Sequence, residues 1–348
     1  MRAATLAIGV SGLLVLTACA SPQPTVKTAA ESDALTVYVR PGGASVAGRS
    51  GEAHADSAGS VGITAQTAVG SLTDAQAVIA ARRAKNVTVV LHGGTYHDAD
   101  MRWTAGTPDE TITVAPQAGT GPVVFDGQAA KKKGYWTIVT PKSAKLVFKG
   151  PMTIRNYGDG GIKAQGNKTD GPVRGLVIKG ITFTHLGNAW VKGGNGYAAV
   201  HLNYVEKPQI LNNKFSNLEN TVKPGNMHAV YFAFNPTGKT PGSNHGLVQG
   251  NTFQVISGDP IRASDGSSYN VARSNVFKTG KDHKGKTRGN GYKGIFTYWV
   301  FSRANKCGKG NKFYGNKTYR SYSNATIPAA RSGADTGRKC TSVTRSGD

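Results

Sequence analysis

The sequence predicts an all-β fold, a parallel β-solenoid, from four observations. Two short strand patterns alternate five times between residues 161 and 313. Strands of the first pattern end at residues 163, 201, 231, 262 and 296, so successive coils are 38, 30, 31 and 34 residues long, within the range of solenoid repeats. The connecting segments are rich in Gly and Asn, which tolerate positive φ in tight turns. No amphipathic helix of useful length follows residue 85.

The first pattern is a small residue or proline, a β-branched residue and a larger residue, and the second pattern ends in Phe shortly after Gly or Asn. β-branched residues favour strands, and identical residues at one place in successive coils predict ladders of Asn and of aromatic rings. The members of the two patterns are Gly161-Ile162-Lys163, Ala199-Val200-His201, Ala229-Val230-Tyr231, Pro260-Ile261-Arg262 and Gly294-Ile295-Phe296 for the first, and Phe183, Phe215, Phe253, Phe277 and Phe313 for the second.

One helix is predicted, over residues 73–84, with Ser71 or Thr73 as its N-cap. Solenoids need their ends covered, so we expect this helix to cap the N-terminal end. A valine-rich strand follows and ends in Gly93-Gly94-Thr95-Tyr96, and residues 123–127 read Val-Val-Phe-Asp-Gly.

These segments resemble the opening coils of pectate-lyase-like, right-handed parallel β-helix proteins. The resemblance covers about residues 36–320 and implies a single-stranded right-handed parallel β-helix. It leaves the activity open, because this architecture carries lyases, hydrolases, epimerases and adhesins. The Gly-, Ala- and Ser-rich residues 43–70 are interpreted as a loop insertion.

The N-terminus has the features of an export signal. Met1 and Arg2 precede an apolar run over residues 5–16, which is too short to span a bilayer and ends in Leu-Thr-Ala-Cys at Cys19. This ending resembles the bacterial lipobox and predicts a signal peptide over residues 1–18, a lipidated (palmitate-bearing) Cys19 and a flexible tether over residues 19–35. We therefore expect a monomer anchored to the extracytoplasmic face of the cell membrane. The alternative is an ordinary secretory signal with a chance cysteine.

The other two cysteines, Cys307 and Cys340, form an even pair. An exported protein meets an oxidising compartment, so we expect a disulfide that staples the C-terminal tail, residues 321–348. Two unpaired thiols are the alternative.

The charge of the chain predicts an anionic partner. Lys and Arg number 42 and Asp and Glu 19, a net +23, yet charged residues are only 18% of the chain. Residues 271–348 hold 17 Lys and Arg and 3 Asp, a net +14. An acidic polysaccharide fits this excess. Nucleic acid is disfavoured because the chain carries no recognised nucleic-acid module and is predicted to be exported.

Alternation of side chains along a strand predicts one outward column on the first-pattern face, made of Lys163, His201, Tyr231, Arg262 and Phe296. Further side chains near this column complete the predicted substrate-binding set. They are His228, Asn203, Tyr298 and Trp299.

The column suits β-elimination on a uronic-acid polymer, which needs a cation for the carboxylate and groups that move protons. Arg262 is the expected carboxylate clamp, because its guanidinium pairs bidentately with carboxylates. Tyr231 or Lys163 is the expected base, with His201 and His228 as tuning or acid groups. The family resemblance adds a possible Ca²⁺ site, for which the candidate ligands are Asp159, Asp259 and Asp265.

Other interpretations stay open at this point. A β-helix glycoside hydrolase would need two carboxyl groups, and Asp259 and Asp265 are the only close acidic pair near the column. A surface lipoprotein that binds glycans without catalysis would use the same cations and aromatic rings. Arg262 and Asp265 could also form a structural ion pair, with Tyr231 as part of a packing ladder.

Overall fold

The computed structural model describes residues 33–45, 61–130, 134–236, 240–301, 306–317, 320–334, 340 and 342–345. The predicted signal peptide, Cys19 and residues 46–60 of the predicted insertion lie outside the described residues. Within the described ranges, no helix is both long and apolar enough to cross a membrane.

The described chain contains one α-helix, α1 (Leu72–Arg82), one short 3-10 helix (Pro224–Asn226) and many short strands. The strands are β1 (Ala34–Ala44), β2 (Asn86–Leu91), β3 (Gly94–Tyr96), β4 (Met101–Trp103), β5 (Thr111–Pro116), β6 (Val123–Asp126), β7 (Tyr135–Val139), β8 (Lys145–Arg155), β9 (Gly160–Gln165), β10 (Val173–Arg174), β11 (Val177–Leu186), β12 (Ala198–Asn203), β13 (Val205–Glu206), β14 (Gln209–Leu211), β15 (Lys214–Leu218), β16 (His228–Ala233), β17 (Leu247–Gln249), β18 (Thr252–Ile256), β19 (Ile261–Ser264), β20 (Val271–Arg273), β21 (Val276–Lys278), β22 (Gly280–Lys281), β23 (Thr287–Arg288), β24 (Phe296–Val300), β25 (Asn311–Tyr314), β26 (Ala330–Ala334) and β27 (Val343–Arg345).

These strands build a parallel β-helix with three faces. The first face is an eight-stranded sheet of β4, β7, β9, β12, β16, β19, β24 and β26. A second, fifteen-stranded sheet turns a corner within β8, because β5 pairs with its first half and β6 with its second half. This sheet supplies the second face, which runs from β1 to β27, and the third face, which ends in β15, β18 and β21. From β4 onward the chain visits the three faces in turn, so the predicted all-β solenoid is confirmed.

The core confirms the predicted ladders. Phe183, Phe215, Phe253 and Phe277 stack face to face with ring centroids 4.7–5.1 Å apart and are fully buried. At the corner before them, each buried Asn bonds to the Asn of the next coil through its side-chain amide at 2.9–3.0 Å. These ladder residues are Asn213, Asn251, Asn275 and Asn316. Each amide also accepts a backbone N–H from the preceding coil, so the ladder satisfies polar groups that the turns leave buried.

The helix α1 begins within one residue of its predicted start, and the Ser71 hydroxyl caps it by accepting the N–H of Asp74. It buries Leu72 and Ile79 in the same core as Val37 of β1. The side chain of Gln76 joins the helix to the coil of β4 by hydrogen bonds to backbone groups.

The C-terminal end differs from the prediction in one respect. Cys307 and Cys340 form the predicted disulfide. The parallel strands, however, continue past residue 320, because β26 pairs with β24 and β27 pairs with β25. The predicted boundary at residue 320 is therefore too early, since two further strands come from the segment assigned to the tail.

Candidate functional site

A column of side chains runs along the outer side of the first face, parallel to the solenoid axis. The strand register pairs Lys163 with His201, His201 with Tyr231, and Tyr231 with Arg262. Neighbouring strands are about 4.8 Å apart, so the four residues span about 14 Å. The structure thus brings the four predicted catalytic residues together in the predicted order.

The column continues differently from the prediction at β24. Arg262 pairs with Thr297, whereas Phe296 pairs with the core residue Ile261. Phe296 and Tyr298 point inward and have no exposed surface. Their assignment as substrate-binding residues is wrong, because they lie in the hydrophobic core and cannot contact a polysaccharide.

A groove of about 850 Å³ lies over this column. It is lined by all four predicted catalytic residues and by Asp159, Asn203 and His228. The groove walls also include residues that the sequence analysis did not single out. Among these are Tyr135, Tyr197, Lys223, Asn226 and Phe301.

His201 lies in the middle of the groove, enclosed by aromatic side chains. Its ring stacks on Tyr231 at 5.1 Å with the planes 7° apart, and its Nδ1 lies 2.8 Å from the Tyr135 hydroxyl. Burial, followed by the charge of Lys163, lowers the pKa of His201 to about 3. The imidazole is therefore neutral near pH 7, which makes it a hydrogen-bonding group rather than the general acid considered from the sequence.

His228 is also a neutral, oriented group. Its Nδ1 lies 2.8 Å from the backbone carbonyl oxygen of Asp259, so this nitrogen carries the proton and donates it. The other ring nitrogen, Nε2, is then free to accept from Nη1 of Arg262, 3.4 Å away. Burial and the positive charge of Arg262 both lower the pKa of His228, in agreement with this arrangement.

Arg262 is held from several sides. Its guanidinium lies 5.6 Å from the ring of Trp299 and 5.5 Å from the ring of Phe301, and its Nη1 lies 3.9 Å from the carboxylate of Asp259. The Nε atom is buried without a hydrogen-bond partner among the described residues. Trp299, predicted to bind substrate, packs on this guanidinium and on Lys293, whose Nζ is 4.2 Å from its ring. The site therefore fixes the direction of one cation at the edge of the groove.

Lys163 has a different environment at the other end of the column. Burial, followed by the positive charge of Arg102, lowers the pKa of Lys163, while Asp159 and Asp100 act in the opposite direction. Arg102 belongs to the same column, two strands before Lys163. For Tyr231 the balance is reversed, because burial raises the pKa of its hydroxyl more than the charge of Arg262 lowers it. Of the two bases that the sequence left open, Lys163 is the one shifted toward neutrality.

The three aspartates predicted to bind calcium do not form a metal site. The side chain of Asp259 accepts the backbone N–H groups of residues 292–294 and the hydroxyl of Thr297. Asp265 is buried and accepts the N–H of Phe301, and Asp159 accepts the N–H of Asn195. These carboxylates hold loops, and no group of possible metal ligands among the described residues includes them.

A different group, outside the groove, can hold a metal ion. Glu219, Asp282 and His283 place one possible ligand atom each within 4.8 Å of the others. Their atoms are also well bonded without a metal: Glu219 accepts from both the ring and the backbone of His283 and from the Tyr322 hydroxyl, and Asp282 pairs with Arg288 at 3.1 Å. The contacts of Glu219 fasten the hairpin of β22 and β23 to the β-helix.

No family model matches the sequence, and no curated protein sequence matches it. Among solved structures, the chain is similar to the crystal structure of pectate lyase Pel9A, with 15% sequence identity and a TM-score of 0.47. That match covers 91% of this chain and 79% of the other chain.

Proposed function

We propose that this protein binds an acidic polysaccharide in the groove of the first face and cleaves it by β-elimination. The observation that supports this most is the column of Lys163, His201, Tyr231 and Arg262, in which a lysine and an arginine flank two stacked, neutral rings. A polymer that carries regularly spaced carboxylates matches cations set along the solenoid axis.

Lys163 is the proposed base. In its neutral form, the amine removes the proton next to the carboxylate of a uronic-acid unit, and the bond to the glycosidic oxygen breaks as a carbon–carbon double bond forms. The leaving oxygen takes its proton from the resulting Lys163 ammonium group. Arg102 is the cation placed to neutralise the reacting carboxylate, since its charge already acts on Lys163.

Arg262 is proposed to bind a second carboxylate of the same chain. It stands three strands from Lys163, about 14 Å along the axis, so the two residues meet different sugar units. His228 and Asp259 orient the guanidinium, which leaves it ready to pair with a carboxylate.

Hydrolysis has less support from the same geometry. A glycosidase needs two carboxyl groups beside the bond to be cleaved. Of the described residues that line the groove, Asp159 is the single carboxylate. Asp259 and Asp265, the acidic pair considered from the sequence, are each about 1% exposed and lie outside the groove lining.

The test is a panel of polygalacturonate, alginate and a glycosaminoglycan incubated with residues 21–348. Elimination creates a double bond conjugated to a carboxylate, so ultraviolet absorbance should rise with at least one polymer. Lys163→Gln should lower that rate at least ~100-fold and leave retention on the polymer largely intact, because it removes the base alone. Lys214→Gln, which changes an exposed lysine on the third face, is the matched control.

Two further variants separate the roles within the column. Arg262→Ala should weaken retention on the polymer, and Tyr231→Phe should keep most of the absorbance signal. An active wild type with a fully active Arg262→Ala, or a Tyr231→Phe as inactive as Lys163→Gln, would show that the roles are wrongly assigned. Retention with neither an absorbance rise nor new reducing ends would identify a glycan-binding protein without catalysis.

The membrane anchor is a further part of the proposal. The lipobox-like ending at Cys19 supports it, and the Cys307–Cys340 disulfide fits an oxidising compartment outside the cytoplasm. In a bacterial host, the wild type should partition with membranes and incorporate labelled palmitate. Cys19→Ala should abolish the label, and a label that persists would exclude this anchor.

A further inference from the structure

Two exposed tyrosines sit on repeated loops beside the groove, and the proposed function does not use them. The sequence Gly-Asn-Gly-Tyr occurs at residues 194–197 and again at residues 289–292. Each copy enters a strand of the first face, β12 in one case and β24 in the other. The side chains of Tyr197 and Tyr292 are 42% and 53% exposed, although large aromatic side chains are usually well covered.

An aspartate holds each of the two tyrosine loops in place by accepting backbone N–H groups. A Gly-Asp pair precedes a first-face strand at Asp159 and again at Asp259. Asp159 accepts the N–H of Asn195 with its carboxylate and the N–H of Tyr197 with its backbone carbonyl. Asp259 accepts the N–H of Tyr292 and of the two residues after it. In both cases the aspartate lies one coil before the loop that it anchors, so an aspartate fixes the backbone of each tyrosine loop.

Tyr197 belongs to the groove lining, and Tyr292 contacts a loop that borders the groove. Tyr197 lines the groove and tilts toward His201, with ring centroids 6.1 Å apart. Tyr292 lies against Gly225, next to the groove residue Asn226, because a Cβ built on this glycine would be only 2.7 Å from the tyrosine ring. The strands β12, β16, β19 and β24 are consecutive in the first face, so the two tyrosine loops are three steps, or about 14 Å, apart.

From this geometry we propose that Tyr197 and Tyr292 are a pair of stacking platforms for sugar rings of a polysaccharide that lies along the first face. An anchored aromatic ring with an exposed surface offers apolar contact with the face of a sugar ring and loses little conformational freedom on binding. A spacing of about 14 Å corresponds to a few sugar units, so one chain reaches both platforms. This inference rests on the proposed function and adds a charge-independent contribution to it.

Salt concentration distinguishes stacking from ion pairing. The Debye length falls from about 10 Å at 0.1 M salt to about 3 Å at 1 M, so salt weakens the ion-pairing contribution of Arg262. Stacking on a tyrosine is not screened in this way. Loss of one platform should therefore lower affinity by the same factor at low and high salt.

The experiment measures retention of Tyr197→Ala, Tyr292→Ala and the double variant on polygalacturonate and alginate by affinity electrophoresis at 0.05 and 0.5 M salt. We expect each single variant to weaken binding about 5- to 10-fold at both salt concentrations, and the double variant to weaken it further. Tyr269→Ala is the matched control, because Tyr269 is also 42% exposed but stacks on His245 and precedes β20 of the second face. It should bind like the wild type.

Wild-type affinity in either single variant, or a loss that shrinks with salt as it does for Arg262→Ala, would overturn the stacking role and leave the proposed function intact. A wild type that binds none of the polymers would overturn both. Circular dichroism and melting temperatures of the variants, compared with those of Tyr269→Ala, separate a binding defect from a folding defect.

Discussion

The neutral state of His201 makes a quantitative prediction about acid stability. Its ring is stacked on Tyr231 and bonded to Tyr135, so protonation would place a positive charge in a partly dry site beside Lys163. In the unfolded chain the same imidazole is solvated and has its ordinary pKa of about 6.5. Acid therefore protonates the unfolded chain before the folded protein, and stability must fall as the pH drops below 6.5.

The size of the effect follows from the two pKa values. With a pKa of about 3 in the folded protein, linkage lowers the free energy of unfolding by about 2 kcal/mol between pH 7 and pH 5. Below pH 6.5 the folding equilibrium constant falls on the order of tenfold per pH unit. The stability that the neutral imidazole supplies is complete above pH 6.5 and disappears as the pH falls toward 3. His201→Phe keeps a ring on Tyr231 but cannot be protonated, so it should be less sensitive to this pH change.

Urea denaturation of wild type and His201→Phe at pH 7 and pH 5 measures the difference. The loss of the Tyr135 bond costs His201→Phe about the same at both pH values, so the comparison isolates protonation. His245→Phe is the control: His245 stacks on Tyr269 with almost the same geometry, 5.1 Å and 8°, but is half-exposed and bonded to Glu206. An equal loss of stability on acidification in wild type and His201→Phe would refute the reasoning.

Three further perturbations test other parts of the structure. Burial raises the pKa of Asp98 to about 6. Asp98→Asn should therefore raise the free energy of unfolding at pH 7.5 by on the order of 2–3 kcal/mol and have little effect below pH 4. A stability gain independent of pH would contradict this. Asn251→Ala leaves several buried polar groups of the asparagine ladder without partners, and it should cost about 3 kcal/mol or more in urea denaturation, whereas Thr252→Ala should cost much less. Gly225→Ala would displace the ring of Tyr292 and the backbone carbonyl oxygen of residue 225, which lies 3.5 Å from Nη1 of Arg262. Retention on the polymer should therefore fall several-fold. An unchanged affinity would show that this loop does not position the groove residues.

The repeat positions of the fold were predictable because one physical rule governs them. Strand periodicity of two sends Ile162, Val200 and Val230 into the core and the residue after each to the outside. When coils repeat in register, the same rule aligns those outer residues into a column. The order of the column from Lys163 to Arg262 therefore follows from sequence spacing alone.

The prediction failed at β24 because the segment between the loop tyrosine and the first core position of that strand is one residue longer than in β12. Val200 is the third residue after Tyr197, whereas Phe296, which occupies the equivalent core position, is the fourth residue after Tyr292. The extra residue lies in the segment whose consecutive backbone N–H groups donate hydrogen bonds to the carboxylate of Asp259. A shift of one residue reverses the direction of every side chain in a strand, so Phe296 and Tyr298 moved from the predicted groove to the core.

The groove walls were harder to predict than the column. Tyr135 belongs to a coil before the repeat becomes regular, so the two strand patterns did not include it. Phe301 follows the last strand of the column, and Lys223 lies in the loop before the 3-10 helix, where no periodicity applies. Contacts between loops fix the positions of these side chains, and no local sequence pattern predicts such contacts.

The aspartates beside the groove have a structural role. Asp159 and Asp259 each accept N–H groups of neighbouring loops. Asp259 in addition keeps its side chain 3.9 Å from Arg262, where it orients the guanidinium from behind. The whole chain has few acids, 19 against 42 basic residues. The acids beside the groove serve as loop anchors. The aspartates that were expected to bind calcium therefore hold loops, and Lys163 and Arg262 are the basic side chains that face an acidic polymer.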